Sequence, residues 1–205
     1  MKMKTPKNKI VEMKEWNNVI LVGTGEVKNL TIVNSNVSDE FVSYAIRDTQ
    51  NINLQGVIGT ALFDKIKELV YNKIKGLSNS IDELENAAYN DLLEDFIKPY
   101  VIHKSVVNVL VPISYKIRNA GAVKTSDTNI SNVDISEVKY LMNYYEEQAN
   151  FYETRLSKFL CTYHKSFPEL DMNTESWMSQ PLVGKNFANT ELWLGSDNEK
   201  SCNCK

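Results

Sequence analysis

Residues 134–165 read DISEVKYLMNYYEEQANFYETRLSKFLCTYHK, and this stretch decides the fold class. It contains neither proline nor glycine, and it opens with Asp134 and Glu137 at the spacing of a capping box. Apolar residues recur every three or four positions: Val138, Leu141, Met142, Tyr145, Ala149, Tyr152, Leu156, Phe159, Leu160 and Tyr163. The pattern predicts one helix over about residues 135–165, about 45 Å long, which would protrude or pack along several elements.

Helical spacing also fills the region before this stretch, beginning at the N-cap candidate Ser38. Residues 51–53 interrupt the pattern, which resumes at residue 54 or 57 and ends at Gly76, a candidate for the left-handed position after a helix. Ser80 and Glu83 form a further capping box before the next helix. The sequence therefore predicts several helices upstream of residue 100.

Two prolines bound the most apolar helix in the sequence. Pro99 is expected to break or bend the preceding segment, and Pro112 to limit the regularity of the last turn. From about Tyr100 the apolar residues occupy more than one face of the predicted helix, so we place it in the centre of the core.

Residues 115–131 differ from the helical regions on both sides. Asn119–Gly121 is a turn signal between two short alternating runs, which favours a β-hairpin or an ordered loop projecting from the helices. Three basic residues crowd this segment: Lys116, Arg118 and Lys124. They could contact phosphate or an acidic partner, although a solvated loop is the simpler interpretation.

The N-terminal residues 1–37 form an arm in this interpretation. Residues 19–22 and 30–33 are short apolar runs, which predict short strands or extended chain around Gly23 and Gly25. A strand followed by G-x-G is how a dinucleotide site opens, but the third glycine is replaced by Lys28. Because the next residues are not expected to open a helix, we reject nucleotide binding there.

The C-terminal residues 166–205 lose helical periodicity but keep large apolar side chains. Those that stand out are Trp177, Leu182, Phe187, Trp193 and Leu194. Such residues dock on a surface, either of their own domain or of a neighbour, so the tail is expected to be extended and to serve as an interface. The predicted compact unit is then residues 38–165.

The composition excludes several classes of protein. With 205 residues, 42% hydrophobic and 24% charged, the chain is an ordinary globular protein, and a net charge of −3 argues against a dedicated nucleic-acid binder. The three cysteines, Cys161, Cys202 and Cys204, do not form a disulfide framework. Without a signal sequence or an apolar span, we expect a soluble protein of a reducing compartment.

Candidates for chemistry are weak. A Cys161/His164 dyad has helical i, i+3 spacing but no accompanying oxyanion hole, and His103 is expected to be a structural residue of an apolar helix. Five carboxylates that could hold an acid–base pair are expected to form a solvated helix face instead: Glu83, Glu85, Asp91, Glu94 and Asp95. We therefore predict no catalysis, no cofactor and no metal site.

Several core and turn motifs resemble a known family. The first is Asp48-Thr-Gln-Asn-Ile52 followed by Gly56-Val-Ile-Gly59, and the second is Leu93-Glu-Asp-Phe-Ile-Lys-Pro-Tyr100 leading to Ile117-Arg-Asn-Ala-Gly121. The last is Tyr144-Tyr-Glu-Glu-Gln-Ala149 with Arg155-Leu156. Over about residues 28–165 the chain resembles the head–tail connector, or neck adaptor, proteins of tailed phages, most of all the ring proteins of crAss-like phages of gut Bacteroidetes.

The resemblance implies a mainly helical adaptor that forms a closed ring of roughly a dozen copies below the portal, in the virion neck, after assembly in the bacterial cytoplasm. Its partners would be copies of itself, the portal and other neck or tail proteins, with genomic DNA only passing through the lumen and no membrane involved. The expected interface residues are Tyr115, Lys116, Arg118, Lys124, Trp177, Leu182, Phe187, Trp193 and Leu194. A helical protein-binding or regulatory module acting alone is the alternative.

Overall fold

The computed structural model describes residues 18–118, 121–124, 135–172 and 178–181. It confirms the prediction of a mainly helical protein. The α-helices of the described residues are α1 (Thr24–Leu30), α2 (Asp39–Asp48), α3 (Gln55–Ile58), α4 (Thr60–Lys75), α5 (Ala87–Leu92), α6 (Lys98–Ser114) and α7 (Ile135–Thr162). Two strands, β1 (Tyr115–Arg118) and β2 (Gly121–Lys124), pair antiparallel between α6 and α7. Short 3₁₀ turns cover Leu84–Asn86, His164–Ser166 and Pro168–Asp171.

Of the two alternatives predicted for residues 19–22 and 30–33, the structure contradicts the short strands, and residues 19–22 lie outside any helix or strand. The chain between them forms α1, which begins directly after Gly23, whose backbone N–H donates to the Glu26 carboxylate at 2.7 Å. Four apolar residues of the two runs are buried in the core instead of pairing in a sheet: Val19, Leu21, Val22 and Val33. Leu30 and Ile32 are exposed. β-branched residues fit a buried surface whatever the secondary structure, so the composition of these runs was misleading.

The helix that begins at Ser38 is longer than predicted. Ser38 is its N-cap, with its hydroxyl accepting from the Glu40 N–H, as expected. Residues 51–53 do not interrupt the helix, because α2 passes into a wide π-helical turn at Thr49–Leu54 and then into α3. The buried side chain of Gln50 projects from this turn. Its amide donates to the Val19 carbonyl at 2.8 Å, and its oxygen accepts from the Leu21 N–H at 3.2 Å.

Two glycines delimit α4. Gly59 has φ 81° and separates α3 from α4, and Gly76 has φ 66°, the left-handed conformation predicted for it. The capping-box contact predicted at Ser80 is present, since the Ser80 N–H donates to Glu83 at 3.0 Å. A 3₁₀ turn follows it before α5 begins.

Pro99 does not break the chain of helices. A second π-helical turn at Leu93–Ile97 joins α5 to α6, and Pro99 is the second residue of α6. Proline lacks an N–H and needs extra room beside the preceding turn of a helix, which a wide turn directly before it provides. Pro112 lies inside the last turn of α6, which continues to Ser114.

Helix α6 is the centre of the core, as predicted from its apolar faces. Its buried residues include Tyr100, Val101, Val106 and Val109, and α2 and α7 both pack against it. The single hydrophobic cluster extends on both sides of the predicted unit 38–165: residues 19–33 contribute to it, and so do Phe167 and Leu170. These flanking residues therefore pack with the core.

Candidate functional site

Helix α7 has a buried apolar face and an exposed face that carries aromatic side chains among polar and charged ones. On the buried face Tyr145, Ala149, Leu156 and Leu160 follow the predicted spacing and pack on the core. The long helix is confirmed, with 28 residues from Ile135 to Thr162. Its buried face accounts for the apolar periodicity by which the helix was recognised.

The exposed face of α7 carries three aromatic side chains. Tyr140 is 71% exposed, Tyr144 49% and Phe151 63%. At 3.6 residues per turn, positions i, i+4 and i+11 lie within about 40° of one another around the helix axis. We call Tyr140, Tyr144 and Phe151 the α7 stripe. It forms a line of aromatic rings about 16 Å long on the surface of the molecule.

Two of the exposed rings are supported by aromatic neighbours. The Tyr144 ring lies edge-on to Tyr145, with centroids 5.3 Å apart, and the Phe151 ring lies edge-on to Tyr152 at 5.4 Å. Tyr145 is itself buried, and its hydroxyl accepts from the Ile32 N–H at 3.2 Å. Such contacts hold the exposed rings in place, which lowers the entropy lost when a partner covers them.

A second exposed apolar surface lies on the helix that starts at Asp39. Tyr44 is 73% exposed in α2, and Ile52 is 69% exposed in the π-helical turn that follows. We call this pair the α2 patch. The α2 patch and the α7 stripe lie on different elements, and α2 and α7 both pack on α6.

Polar contacts fix α7 to α6 beneath the stripe. Lys104 of α6 forms an ion pair with Glu146 of α7. Tyr100 is buried, and burial together with its hydrogen bond to the Glu153 carboxylate raises the pKa of its hydroxyl. The centroid of the His103 ring lies 5.0 Å from that of the Tyr152 ring, with the two rings tilted by 40°. This matches the structural role predicted for His103, and it gives α7 a defined rotation on α6.

The C-terminal segment returns to the core beside α4. The Thr60 N–H donates to the Ser179 carbonyl at 3.0 Å, and the Ser179 N–H donates to the Thr60 hydroxyl oxygen at 2.8 Å. Thr60 is buried, and so is Pro181. This contact fixes the point from which residues 182–205 leave the described part of the chain.

The predicted interface residues fall into two groups. Tyr115, Lys116 and Arg118 lie in β1 and Lys124 in β2, where Tyr115 pairs with Lys124 and Arg118 with Gly121. The predicted tail residues Trp177, Leu182, Phe187, Trp193 and Leu194 lie outside the described residues. Cys202, Cys204 and residues 125–134 also lie outside the described residues.

Sequence reasoning missed the α7 stripe and the α2 patch. The signal for the stripe was available, because Tyr140, Tyr144 and Phe151 keep a helical spacing offset from the main apolar periodicity. Two apolar lines on a helix that is not buried all round indicate a second packing surface. The α2 patch had no comparable signal, since Tyr44 and Ile52 are separated by the π-helical turn.

The structure describes the surroundings of the residues that were considered for catalysis. Glu83, Glu85, Asp91, Glu94 and Asp95 are all exposed, as expected of a solvated face. Cys161 is disulfide-bonded, so it offers no thiol to His164, and this differs from the expectation that the cysteines belong to a reducing compartment. Within the described ranges, no group of three or more His, Cys, Asp or Glu residues could hold a metal ion.

None of the described helices is long and apolar enough to cross a membrane.

Comparison with known proteins gave one match, to a protein family over residues 54–176. No curated protein and no solved structure matches the chain. The matched region runs from the end of the first π-helical turn to just beyond α7, so it includes the α6–α7 pair and the stripe. The chain belongs to this family, which is described as a family of unknown function (DUF6712).

Proposed function

We propose that this chain is a structural subunit of the neck of a tailed phage, where a closed ring of its copies joins the portal and capsid to the tail. The proposal rests on the resemblance of residues 28–165 to head–tail connector proteins. The observation that carries it is the presence of exposed large apolar residues on two elements, the α7 stripe and the α2 patch, outside the buried cluster of the described residues.

The α7 stripe and the α2 patch satisfy a specific requirement of a closed ring. In a ring each subunit contacts its two neighbours through two different surfaces, whereas a two-fold dimer uses one surface twice. Interface centres are enriched in Tyr, Trp and Phe. The α7 stripe supplies two tyrosines and a phenylalanine, and the α2 patch supplies a tyrosine and an isoleucine.

The hairpin and the tail have proposed roles in the same assembly. The hairpin of β1 and β2 projects toward a neighbour or the next ring, with Lys116, Arg118 and Lys124 contacting acidic groups. The tail, with Trp177, Leu182, Phe187, Trp193 and Leu194, lies across an adjacent subunit. The partners are copies of this chain, the portal and other neck or tail proteins.

The proposed role involves no catalysis and no cofactor. Genomic DNA passes through the lumen without being held, and a net charge of −3 suits this because strong phosphate binding would slow transit. The protein is located in the virion, between capsid and tail, and assembles in the cytoplasm of the host bacterium.

The second candidate is a helical module that binds a single protein partner and acts alone. The α7 stripe favours it, because one aromatic line about 16 Å long is enough to hold one partner helix. The module would use the α7 stripe without the α2 patch, and it would not form rings.

Light scattering on the purified full chain, alone and with portal protein, separates the two candidates. A connector gives a discrete mass many times that of the 23.4 kDa chain, and variants Tyr44→Ser and Tyr140→Ser both reduce it. A chain that stays monomeric at high concentration and does not bind portal would exclude the connector. Ile74→Ser, an exposed apolar residue at the end of α4, serves as the matched control.

A further inference from the structure

Cys161, in the last turn of α7, is disulfide-bonded, and its partner is not among the described residues. The sequence contains three cysteines, and the other two are Cys202 and Cys204 in the C-terminal tail. The structure holds a single copy of the chain. These facts leave Cys202 and Cys204 of the same chain as the candidates for the second sulfur of the bond.

We propose that Cys202 or Cys204 of the same chain closes the Cys161 disulfide, and that this bond is a redox-dependent strap holding the tail on its own subunit until it is reduced. Cys202 and Cys204 are separated by one residue, so either of them closes nearly the same loop. The pairing is independent of the proposed function, whereas its consequence for assembly rests on that function.

The tail is long enough to reach Cys161 within one chain. It leaves from Pro181, directly after the Ser179–Thr60 contact at the start of α4, and α3 immediately before that point packs against α7. The residues from Pro181 to Cys202 span up to about 70 Å when extended, whereas the 28 residues of α7 are about 42 Å long. The tail can therefore bond Cys161 without leaving its own subunit.

The disulfide adds a third attachment to the chain that follows α7. Phe167 and Leu170 are buried in the core, and the Ser179–Thr60 contact follows them. The bond to Cys161 would return the chain to α7 and close a loop. That loop contains all the tail residues with a predicted interface role: Trp177, Leu182, Phe187, Trp193 and Leu194.

The bond can be opened and closed by ordinary thiol chemistry. Cys161 is partly exposed, so a small thiol can approach its sulfur. Dithiothreitol breaks the S–S bond in two exchanges, becomes its own cyclic disulfide and leaves one thiol on Cys161 and one on the tail cysteine. Glutathione disulfide reverses the change, because it takes two electrons from the two protein thiols and is released as two molecules of reduced glutathione.

The strap would make the reach of the tail depend on its surroundings. In a reducing cytoplasm the bond is open, and the 24 residues from Leu182 to Lys205 reach up to about 80 Å when extended. That is ample for an adjacent subunit. Oxidation instead confines the tail to its own subunit, so the reduced chain is the form that assembles.

Peptide mapping without reductant identifies the bond. Trypsin cuts after Lys158, Lys165 and Lys200, which gives peptide 159–165 with Cys161 and peptide 201–205 with both tail cysteines. Isotopically heavy and light full chains are mixed in reduced form at low concentration, oxidised with glutathione disulfide and digested. We expect these two peptides to be linked, both heavy or both light, and to separate in dithiothreitol.

Two results of the mapping would overturn the pairing. Links that join a heavy peptide to a light one in half of the pairs would place the bond between subunits. A bond between Cys202 and Cys204, with Cys161 left as a thiol, would remove the attachment to α7. Neither result depends on ring formation, so both are distinct from a failure of the proposed function.

Light scattering on the full chain measures the release of the tail. We expect the midpoint concentration of self-association to be at least about tenfold higher for the oxidised chain than for the reduced chain, because the confined tail cannot bring its aromatic residues to a neighbour. Cys161→Ser should match the reduced chain under both conditions. Ser157→Ala, one turn earlier on α7, is the matched control and should keep the redox dependence.

The same measurement separates the strap from the ring. Equal midpoints in the two redox states, with the bond mapped to Cys161 and the tail, would overturn the strap and leave a self-assembling ring intact. A chain that stays monomeric in both states and does not bind portal would overturn the proposed function. The mapped bond would then be a structural cross-link without a role in assembly.

Discussion

Thr60 and Ser179, which are 119 residues apart in the chain, are joined by two hydrogen bonds. The Thr60 N–H donates to the Ser179 carbonyl at 3.0 Å, and the Ser179 N–H donates to the Thr60 hydroxyl at 2.8 Å. Gly59 separates α3 from α4, and the first N–H groups of α4 have no partners within the helix. The contact with Ser179 lies at this point. The same contact therefore caps the start of α4 and anchors the C-terminal segment.

Substituting Thr60→Val tests the anchor, because valine keeps the shape of threonine but lacks the hydroxyl. The Ser179 N–H then loses its acceptor, as does the Gln55 amide that also donates to this hydroxyl at 2.9 Å. We expect the free energy of unfolding to fall by about 1 kcal/mol in a urea titration. Limited proteolysis should cut after residue 172 several times faster in the variant.

The control for this substitution is Thr154→Val, at an exposed threonine whose hydroxyl bonds only within α7. It should leave proteolysis of the C-terminal segment unchanged. Equal proteolysis of the Thr60→Val variant and the wild-type chain would show that the hydroxyl does not hold the segment.

Gln50 joins the segment before α1 to the first π-helical turn. Its side chain bonds both the Val19 carbonyl and the Leu21 N–H, and all three residues are buried. Gln50→Leu leaves both backbone groups without partners, so we expect a loss of at least about 2 kcal/mol in the free energy of unfolding. Hydrogen exchange should also quicken at the amide of Leu21.

Gln148→Leu, at a partly exposed position of α7, is the comparison for Gln50→Leu. It should change the free energy of unfolding by less than about 0.5 kcal/mol. If Gln50→Leu also lowered the free energy of unfolding by less than about 0.5 kcal/mol, the Gln50 amide would not be required to fix residues 19–21.

The stability of the protein should fall in alkali. Burial and a carboxylate partner raise the pKa of Tyr89 and of Tyr100, whose hydroxyls bond Glu169 and Glu153. Burial alone would lower the pKa of Lys98, but the hydrogen bond to Glu94 and the charges of Glu26 and Glu94 outweigh it, so the pKa is raised.

For all three groups a raised pKa in the folded state means that the folded protein keeps protons that the unfolded chain has released. Their contribution is complete below about pH 10 and is lost as the pH rises further. Urea titrations from pH 8 to pH 11 should show a falling free energy of unfolding above pH 10. Tyr100→Phe should make the fall shallower, and a flat profile in the wild-type chain would contradict the assignment.

Shortening a side chain to alanine should have a different main effect on each face of α7, namely on stability for the buried face and on self-association for the exposed face. Leu156 is fully buried, so Leu156→Ala should lower the free energy of unfolding by about 2–5 kcal/mol. Phe151→Ala, five residues earlier on the exposed face, should change it by less than about 1 kcal/mol while weakening self-association. Differential scanning calorimetry and light scattering on both variants measure the two effects.

The helices could be predicted where a local signal is strong. Ser38, Gly76 and the stretch after Asp134 each carry a cap or a long periodicity, and the structure confirms the helix starts and ends that they indicate. Residues 19–33 could not be predicted, because their burial depends on helices distant in sequence. The bonds from Gln50 to Val19 and Leu21 decide their path, and no local pattern encodes such bonds.

The candidate site was predictable only in part. The existence of α7 could be predicted from its periodicity, but the stripe depends on which faces of the helix the core covers. Packing on α6 decides that, through contacts such as the Lys104–Glu146 pair. The predicted hairpin residues Lys116, Arg118 and Lys124 lie in the two strands, and their interface role stays a prediction.

Negative-stain imaging of the full chain mixed with portal protein tests the proposed role most directly. The connector proposal predicts closed rings of uniform diameter with a central opening, seated coaxially on the portal. Rings should also be lost from the variant in which Tyr140, Tyr144 and Phe151 are replaced by Ser. Particles no larger than a single 23.4 kDa chain, with portal left bare, would contradict the proposal.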